Sequence, residues 1–239
     1  MMVIKSVDGR EFHIKTPLNW RRERMLLSSI SKMLSMIAES GYGVEDVSNT
    51  AEPLQKFLSG MGDIGMQILQ ACLDLGSEEV EELFSGSDVV KFAIPFAVDF
   101  VNRFAMALSD AFNKREQLEK VTTLDNRTIE VPKRLSWKQE KVLLSLATDM
   151  MKHVGTGEQD LLTDMRRVVE FVDAISEKVV TKASAAILKW DEEKVSEEFD
   201  GGTLLRLAVP KLLAVLEEFN QSIEASFTAV PGEQQQAQM

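Results

Sequence analysis

The chain has 239 residues, 44% of them hydrophobic and 27% charged, with 13 Gly, 6 Pro and one Cys; this is the mix of a folded globular protein, not of a disordered, collagen-like or disulfide-rich one. A formal net charge of −11 argues against general affinity for nucleic-acid phosphates or anionic lipid, which need clustered Lys and Arg. The lone Cys72 can form no internal disulfide, and the start "MMVIKSVDGREF" lacks the basic and apolar runs of a signal peptide, so a cytoplasmic setting is expected.

The first element is a β-hairpin. Val3, Lys5 and Val7 precede Asp8-Gly9, and Phe12 and Ile14 follow; Asp-Gly suits the positive φ values of a type I′ turn. A two-stranded hairpin is unstable alone, so its apolar face must lie on helices. Asn19 is a candidate N-cap for the next helix, where Leu26, Leu27, Ile30, Met33, Leu34 and Ile37 recur at helical spacing until Gly41 supplies a stop. A middle helix follows around "LSGMGDIGMQILQACLDLG", then the short acidic "SEEVEELF" with Val80, Leu83 and Phe84 inward. The last long helix of this half, with Asp88 as candidate cap, carries Pro95 in its interior, where the ring removes a hydrogen bond and imposes a kink. Its most apolar stretch, residues 89–108, contains Lys91, Asp99, Asn102 and Arg103 at depths forbidding to a membrane helix. It reads as a core helix.

The whole series then recurs. "DGREFHIKTPLNW" (8–20) and "DNRTIEVPKRLSW" (125–137) agree at Asp8/Asp125, Arg10/Arg127, Leu18/Leu135 and Trp20/Trp137, an offset of 117. "ELFSGSDVVKFAIPFAVDFVNRF" (82–104) and "EEFDGGTLLRLAVPKLLAVLEEF" (197–219) agree at Phe84/Phe199, Gly86/Gly201, Ala93/Ala208 and Pro95/Pro210, an offset of 115. A two-residue length difference therefore falls between them, expected in "ESGYGVEDVSNTAEP" and "GTGEQDLLTD". In the second copy Ser136 and Gln139 form a capping box ahead of Leu143, Leu144, Ala147, Met150, Met151 and Val154; Gly155 is the stop, Thr203 the candidate cap and Pro210 the second kink. Fixed-offset similarity marks architecture. The expected fold is mainly α (α+β), two similar lobes, each an N-terminal β-hairpin followed by a small helical bundle. Residues 1–116 form the first unit and 117–230 the second, with 231–239 a flexible tail. Both units are acidic: residues 1–116 carry 12 Lys and Arg against 17 Asp and Glu, and the remainder 15 against 21.

Reactive chemistry is sparse. His13 aligns with Glu130 and His153 stands alone, neither in a metal-ligand spacing; Cys72 aligns with Ile187 and reads as a small hydrophobe. Glu78, Glu79, Glu81 and Glu82 spread around a polar helix face, and "SGMGDIG" has no Lys-Ser/Thr ending or preceding strand to make a phosphate cradle. No catalytic, cofactor-binding or metal residue is assigned, and the chain reads as a non-enzyme. Partner-binding candidates are Trp20 and Trp137, beside Arg21, Arg22 and Lys138, and Phe96, Phe100 and Phe104 of a stripe that starts at Phe92. The simpler reading makes the indoles staples over their hairpins and the stripe a core face. In the second copy the stripe becomes Leu207, Lys211, Val215 and Phe219, and the lysine suggests a partly exposed edge.

On "VDGREFHIKTPLNW" and "LQACLDLGSEEVEELFSGSDVVKFAIPFAVDF" (69–100) the first unit resembles the tail assembly chaperones of long-tailed bacteriophages; the second, with "KWDEEKVSEEFDGGTLL", has lost the "LG" and the Asp. The resemblance implies a helical, non-enzymatic protein that binds the tape measure protein and keeps it soluble during tail assembly in the host cytoplasm, without cofactor, nucleic acid or membrane, and with possible self-association. The family's usual form is a single unit, so a duplicated chain would offer two surfaces and gain avidity. The runner-up is a general helical adaptor or another phage assembly or regulatory factor.

Overall fold

The computed structural model describes residues 2–40, 51–114, 117–154 and 165–228. The expected stops at Gly41 and Gly155, residues 41–50 and 155–164 of the two polar segments and the tail from 231 lie outside these residues. Within them the protein is mainly helical, with two small antiparallel hairpins that each precede helices. Hairpin β1 (Met2–Lys5) and β2 (Glu11–Ile14) leads to α1 (Trp20–Ser40), α2 (Ala51–Leu73), α3 (Ser77–Leu83) and α4 (Gly86–Ser109), the last running on into a π-helical turn, Asp110–Lys114. Hairpin β3 (Lys120–Thr122) and β4 (Thr128–Glu130) leads to α5 (Trp137–Val154). Next comes α6, residues 165–188, made of Met165–Ile175, a π-helical Ser176–Thr181 and Lys182–Leu188, and after it α7 (Glu192–Glu198) and α8 (Gly201–Thr228).

Each hairpin turn is built from the same bonds. The Ser6 amide donates to the Arg10 carbonyl and the Gly9 amide to the Ser6 carbonyl, both at 2.9 Å; Thr123, Arg127 and Asn126 repeat this pair at the same distances. The Asp8 carboxylate accepts from the Ser6 hydroxyl and from Arg10 Nε, as Asp125 does from Thr123 and Arg127. These contacts hold both carboxyls below the usual aspartate range, the hydroxyl being the largest cause. Within the two turns only Gly9 (φ +85°) and Asn126 (φ +64°) are left-handed, so the expected two-residue type I′ turn is corrected to a three-residue loop closed by one left-handed residue. The inward residues of the first hairpin are Ile4 and Ile14, with Val3 and Val7 outside; Ile4 lies opposite Phe12 in the ladder.

The turn docks on the short acidic helix that follows three elements later. The Val7 amide donates to the Leu83 carbonyl at 2.8 Å, and the Leu124 amide to the Glu198 carbonyl at 2.9 Å. Helices α2 and α6 both end on a left-handed residue, Asp74 (φ +62°) and Lys189 (φ +57°). Arg22 Nη1 reaches the Ala71 carbonyl at 3.4 Å where Gln139 Nε2 reaches that of Ala186 at 2.7 Å, so the first helix of each series is tied to the end of the second. Asn19 caps α1, its Oδ1 accepting from the Arg22 amide at 3.0 Å, and Gln139 Oε1 accepts from the Ser136 amide at 3.0 Å. The caps of α4 and α8 are Ser85 and Asp200, one turn before the expected Asp88 and Thr203, whose own amides donate to those caps. Pro95 and Pro210 both lie inside continuous helices.

One hydrophobic core runs from Ile4 to Val215 through both halves. Phe92, Phe96, Phe100 and Phe104 are buried along α4 with successive ring centroids 5.6, 6.1 and 4.6 Å apart. Although α4 is long and apolar enough to cross a membrane, this stripe is taken up by the core. Helix α4 packs on α8, and α6 packs against both α1 and α4. Between the halves the arrangement is asymmetric: α1 also touches α7 and α8, whereas α5 lies directly on α8 of its own half.

Candidate functional site

Four of the five partner-binding candidates are interior as folded. Phe96, Phe100 and Phe104 form the α4 core stripe, and Trp20 is wholly buried. Trp137 stands outside with 66% of its surface in water.

Trp20 is not a staple over its hairpin. As the first residue of α1 it is driven across to the other half, where its amide donates to the Phe199 carbonyl at 2.7 Å. Its indole N–H donates to Thr181 Oγ1 at 2.9 Å, in the π-helical part of α6, and that hydroxyl donates to the Ser176 carbonyl at 2.9 Å. The ring meets Phe104 edge-on at 6.1 Å. Gly201, at the start of α8, completes the socket: a Cβ there would lie 2.4 Å from the indole and 2.5 Å from the Phe104 ring. No side chain fits, so glycine is required by close approach.

One turn along α1, Glu23 is fully buried beside this socket. Its Oε1 accepts from Arg103 Nη1 at 2.9 Å and its Oε2 from the Gly201 amide at 2.6 Å. Burial pushes its carboxyl up to about 7, against the opposing pull of Arg103 and of the Gly201 amide. The Arg103 guanidinium also lies over the Phe100 ring, 5.6 Å from its centroid, so one arginine orders both the carboxylate and the aromatic stripe. At the rim Arg21 pairs with Glu197 of α7 at 3.5 Å. This joint between the halves combines an aromatic anchor, a buried ion pair and an exposed one.

The counterparts on α5 and α8 are open. Trp137 is exposed, Leu144 is half-buried and Met151 is exposed, whereas their α1 equivalents Trp20 and Leu27 are sealed and Leu34 is half-buried. Phe104 is fully buried, but its counterpart Phe219 is 42% exposed and Ile223 stands outside beyond it. Sequence reading treats the two tryptophans as one kind of residue. The signal that separates them is Arg103, whose aligned position holds Glu218: the charge that would neutralise Glu140 is reversed.

Lys211, expected near an exposed edge, is buried, with its ammonium donating to Gln117 Oε1. Burial lowers its affinity for a proton. Cys72 is half-buried and its thiol is pushed up to about 12 by burial, which makes it a poor nucleophile at neutral pH. Among the described residues no group of three His, Cys, Asp or Glu side chains is placed to hold a metal ion. No family model, curated protein or solved structure matches this chain.

Proposed function

We propose that the protein is a non-enzymatic tail assembly chaperone of a long-tailed bacteriophage, built by tandem duplication of one hairpin-plus-helices unit, which binds the tape measure protein and keeps it soluble in the host cytoplasm. Residues 3–112 and 120–227 are the two units in this reading. It is supported by the resemblance of residues 8–20 and 69–100 to that family, and by the recurrence of turn, dock and cap bonds at offsets of 117 and 115.

The observation that carries it is a set of large apolar side chains kept in water on an acidic helical body. Met25 on α1 and Met106 on α4 are 60% and 62% exposed, with Val98 on α4 and Val142 on α5 also outside. Methionine is unbranched and adapts its shape to a partner's side chains. Such side chains suit the amphipathic helices of a long partner, where apolar stripes would otherwise drive aggregation. The net charge of −11 keeps the complex dispersed.

Co-expression with the tape measure protein encoded beside it tests the reading. A soluble complex that co-purifies is expected, and Met25→Asp with Met106→Asp should return the partner to the insoluble fraction. A tape measure protein that stays insoluble with the wild-type chain present contradicts the proposal.

A further inference from the structure

Both π-helical turns among the described residues lie in the seam between the halves. Ser176–Thr181 of α6 receives Trp20, whose indole N–H donates to Thr181 Oγ1 at 2.9 Å; that hydroxyl in turn donates to the Ser176 carbonyl, five residues back. Asp110–Lys114, at the end of α4, meets the second half in the same way. Asp110 pairs with Arg206 of α8 at 3.4 Å, and the Phe112 ring lies 6.2 Å from that of Phe171 of α6.

The duplication supplies a control for each turn, at the offset of 115. Residues 61–66 correspond to 176–181, and there α2 runs on as an ordinary α-helix that packs on β2, α1, α3 and α4 of its own half. Residues 225–228 correspond to 110–113, and they form the α-helical end of α8, where 221–225 are exposed. The wide turn thus occurs where the other half presses against the helix and is missing where it does not. A π turn closes five residues back instead of four, so it holds one residue more than the α turn it replaces, and it is rare unless an inserted group keeps it open.

We propose that the π register of α6 is imposed by Trp20 of the first half and not by the sequence of α6 itself, so that parting the halves returns the helix to α. The two parts of α6 have different neighbours: Met165–Ile175 packs on α1 and α4, and Lys182–Leu188 on α5 and α8. Closing the wide turn rotates one part against the other by about 100°, which carries the buried Val168, Phe171 and Val172 off their seats. Closure of the joint and seating of α6 are therefore one two-state element. This device goes beyond the chaperone reading and does not depend on it.

Deletion of Lys178, exposed within the turn, tests it, because it gives α6 the α count with both flanks still seated. In an otherwise wild-type chain the deletion is expected to lower the midpoint of urea unfolding; in the Trp20→Ala chain, where nothing fills the wide turn, it is expected to raise it. Deletion of Asp63, the exposed equivalent in α2, should lower the midpoint in both. A second readout keeps Trp20 in place: with Trp20 as the one tryptophan (Trp137→Phe, Trp190→Phe), deleting Lys178 should expel the indole and raise acrylamide quenching several-fold while the helical circular dichroism is retained. An indole that stays sealed after the deletion overturns the proposal. So does a Lys178 deletion that lowers the midpoint of the Trp20→Ala chain as much as that of the wild type.

Discussion

Trp20 and Trp137 begin helices that follow hairpins bonded alike and are tied by Arg22 and Gln139 to equivalent carbonyls, yet one is wholly buried and the other lies mostly in water. Local sequence therefore does not decide the fate of the indole. What decides it is whether another surface with a glycine at the right place is available. The first half has Gly201 and Thr181 of the second half against it; among the described residues no such surface covers Trp137.

Truncating the two rings should separate the halves most widely. Trp20→Ala removes a fully buried side chain and is expected to cost about 3–5 kcal/mol, whereas Trp137→Ala should stay within about 0.5 kcal/mol; midpoints of urea unfolding, at concentrations where the chain is monomeric, check both. Equal costs would mean that the two indoles share one environment. A smaller contrast is expected at the glycines. Gly201→Ala forces a methyl into the indole and Phe104 and should destabilise by about 1–3 kcal/mol. Gly86→Ala meets open space and gains helix propensity, so it should be neutral or stabilising by up to about 1 kcal/mol.

Glu23 carries the same contrast into pH. Its folded carboxyl is raised to about 7 from the ordinary 4.5, so between these values the folded state holds a proton that the unfolded state has released. Its contribution is therefore fully present below about 4.5 and is lost as pH rises through 7, by an amount on the order of 1–3 kcal/mol. Glu23→Gln should flatten the stability profile in that window, followed by urea unfolding at half-unit pH steps. The exposed carboxyls of Asp8 and Asp125 are shifted downward and act only at lower pH. The smallest expected effect is at the turns. Among the described residues Arg10 pairs with Asp8, whereas Arg127 pairs with both Asp125 and Glu198, and Arg127→Ala should cost more than Arg10→Ala, both by less than about 1 kcal/mol. Thermal melts of the two variants side by side would rank them.

Much of this fold is legible in the chain itself, because its dominant signals are local. Hydrophobic spacing from Leu26 to Met33, the Asn19 cap, the Gln139 reach-back and the inward Val80 and Phe84 depend on neighbours within a turn or two, and all stand as read. The turn type escapes such reading because Asp-Gly suits more than one loop, and the choice is made by the Ser6 and Arg10 contacts to Asp8. The caps of α4 and α8 fall one turn earlier than expected because two polar residues three apart can each serve; in α4 the earlier one, Ser85, has the extended backbone of a cap. The candidate site is legible only as residue types. Spacing places Phe96, Phe100 and Phe104 on one face but cannot say that Trp20 crosses to Gly201 in the other half, or that Lys211 ends inside. Those outcomes depend on how two helical sets stack, for which periodicity within one helix carries no information.

Acrylamide quenching reads the two indole environments themselves. Of the three tryptophans, Trp20 can be isolated by Trp137→Phe with Trp190→Phe, and Trp137 by Trp20→Phe with Trp190→Phe, each measured at concentrations where the chain is monomeric. The Trp20-only protein is expected to resist quenching and emit to the blue, while the Trp137-only protein is quenched several-fold more readily and emits to the red. Indistinguishable quenching of the two proteins would contradict a fold in which one indole is sealed by the second half and its twin is left uncovered.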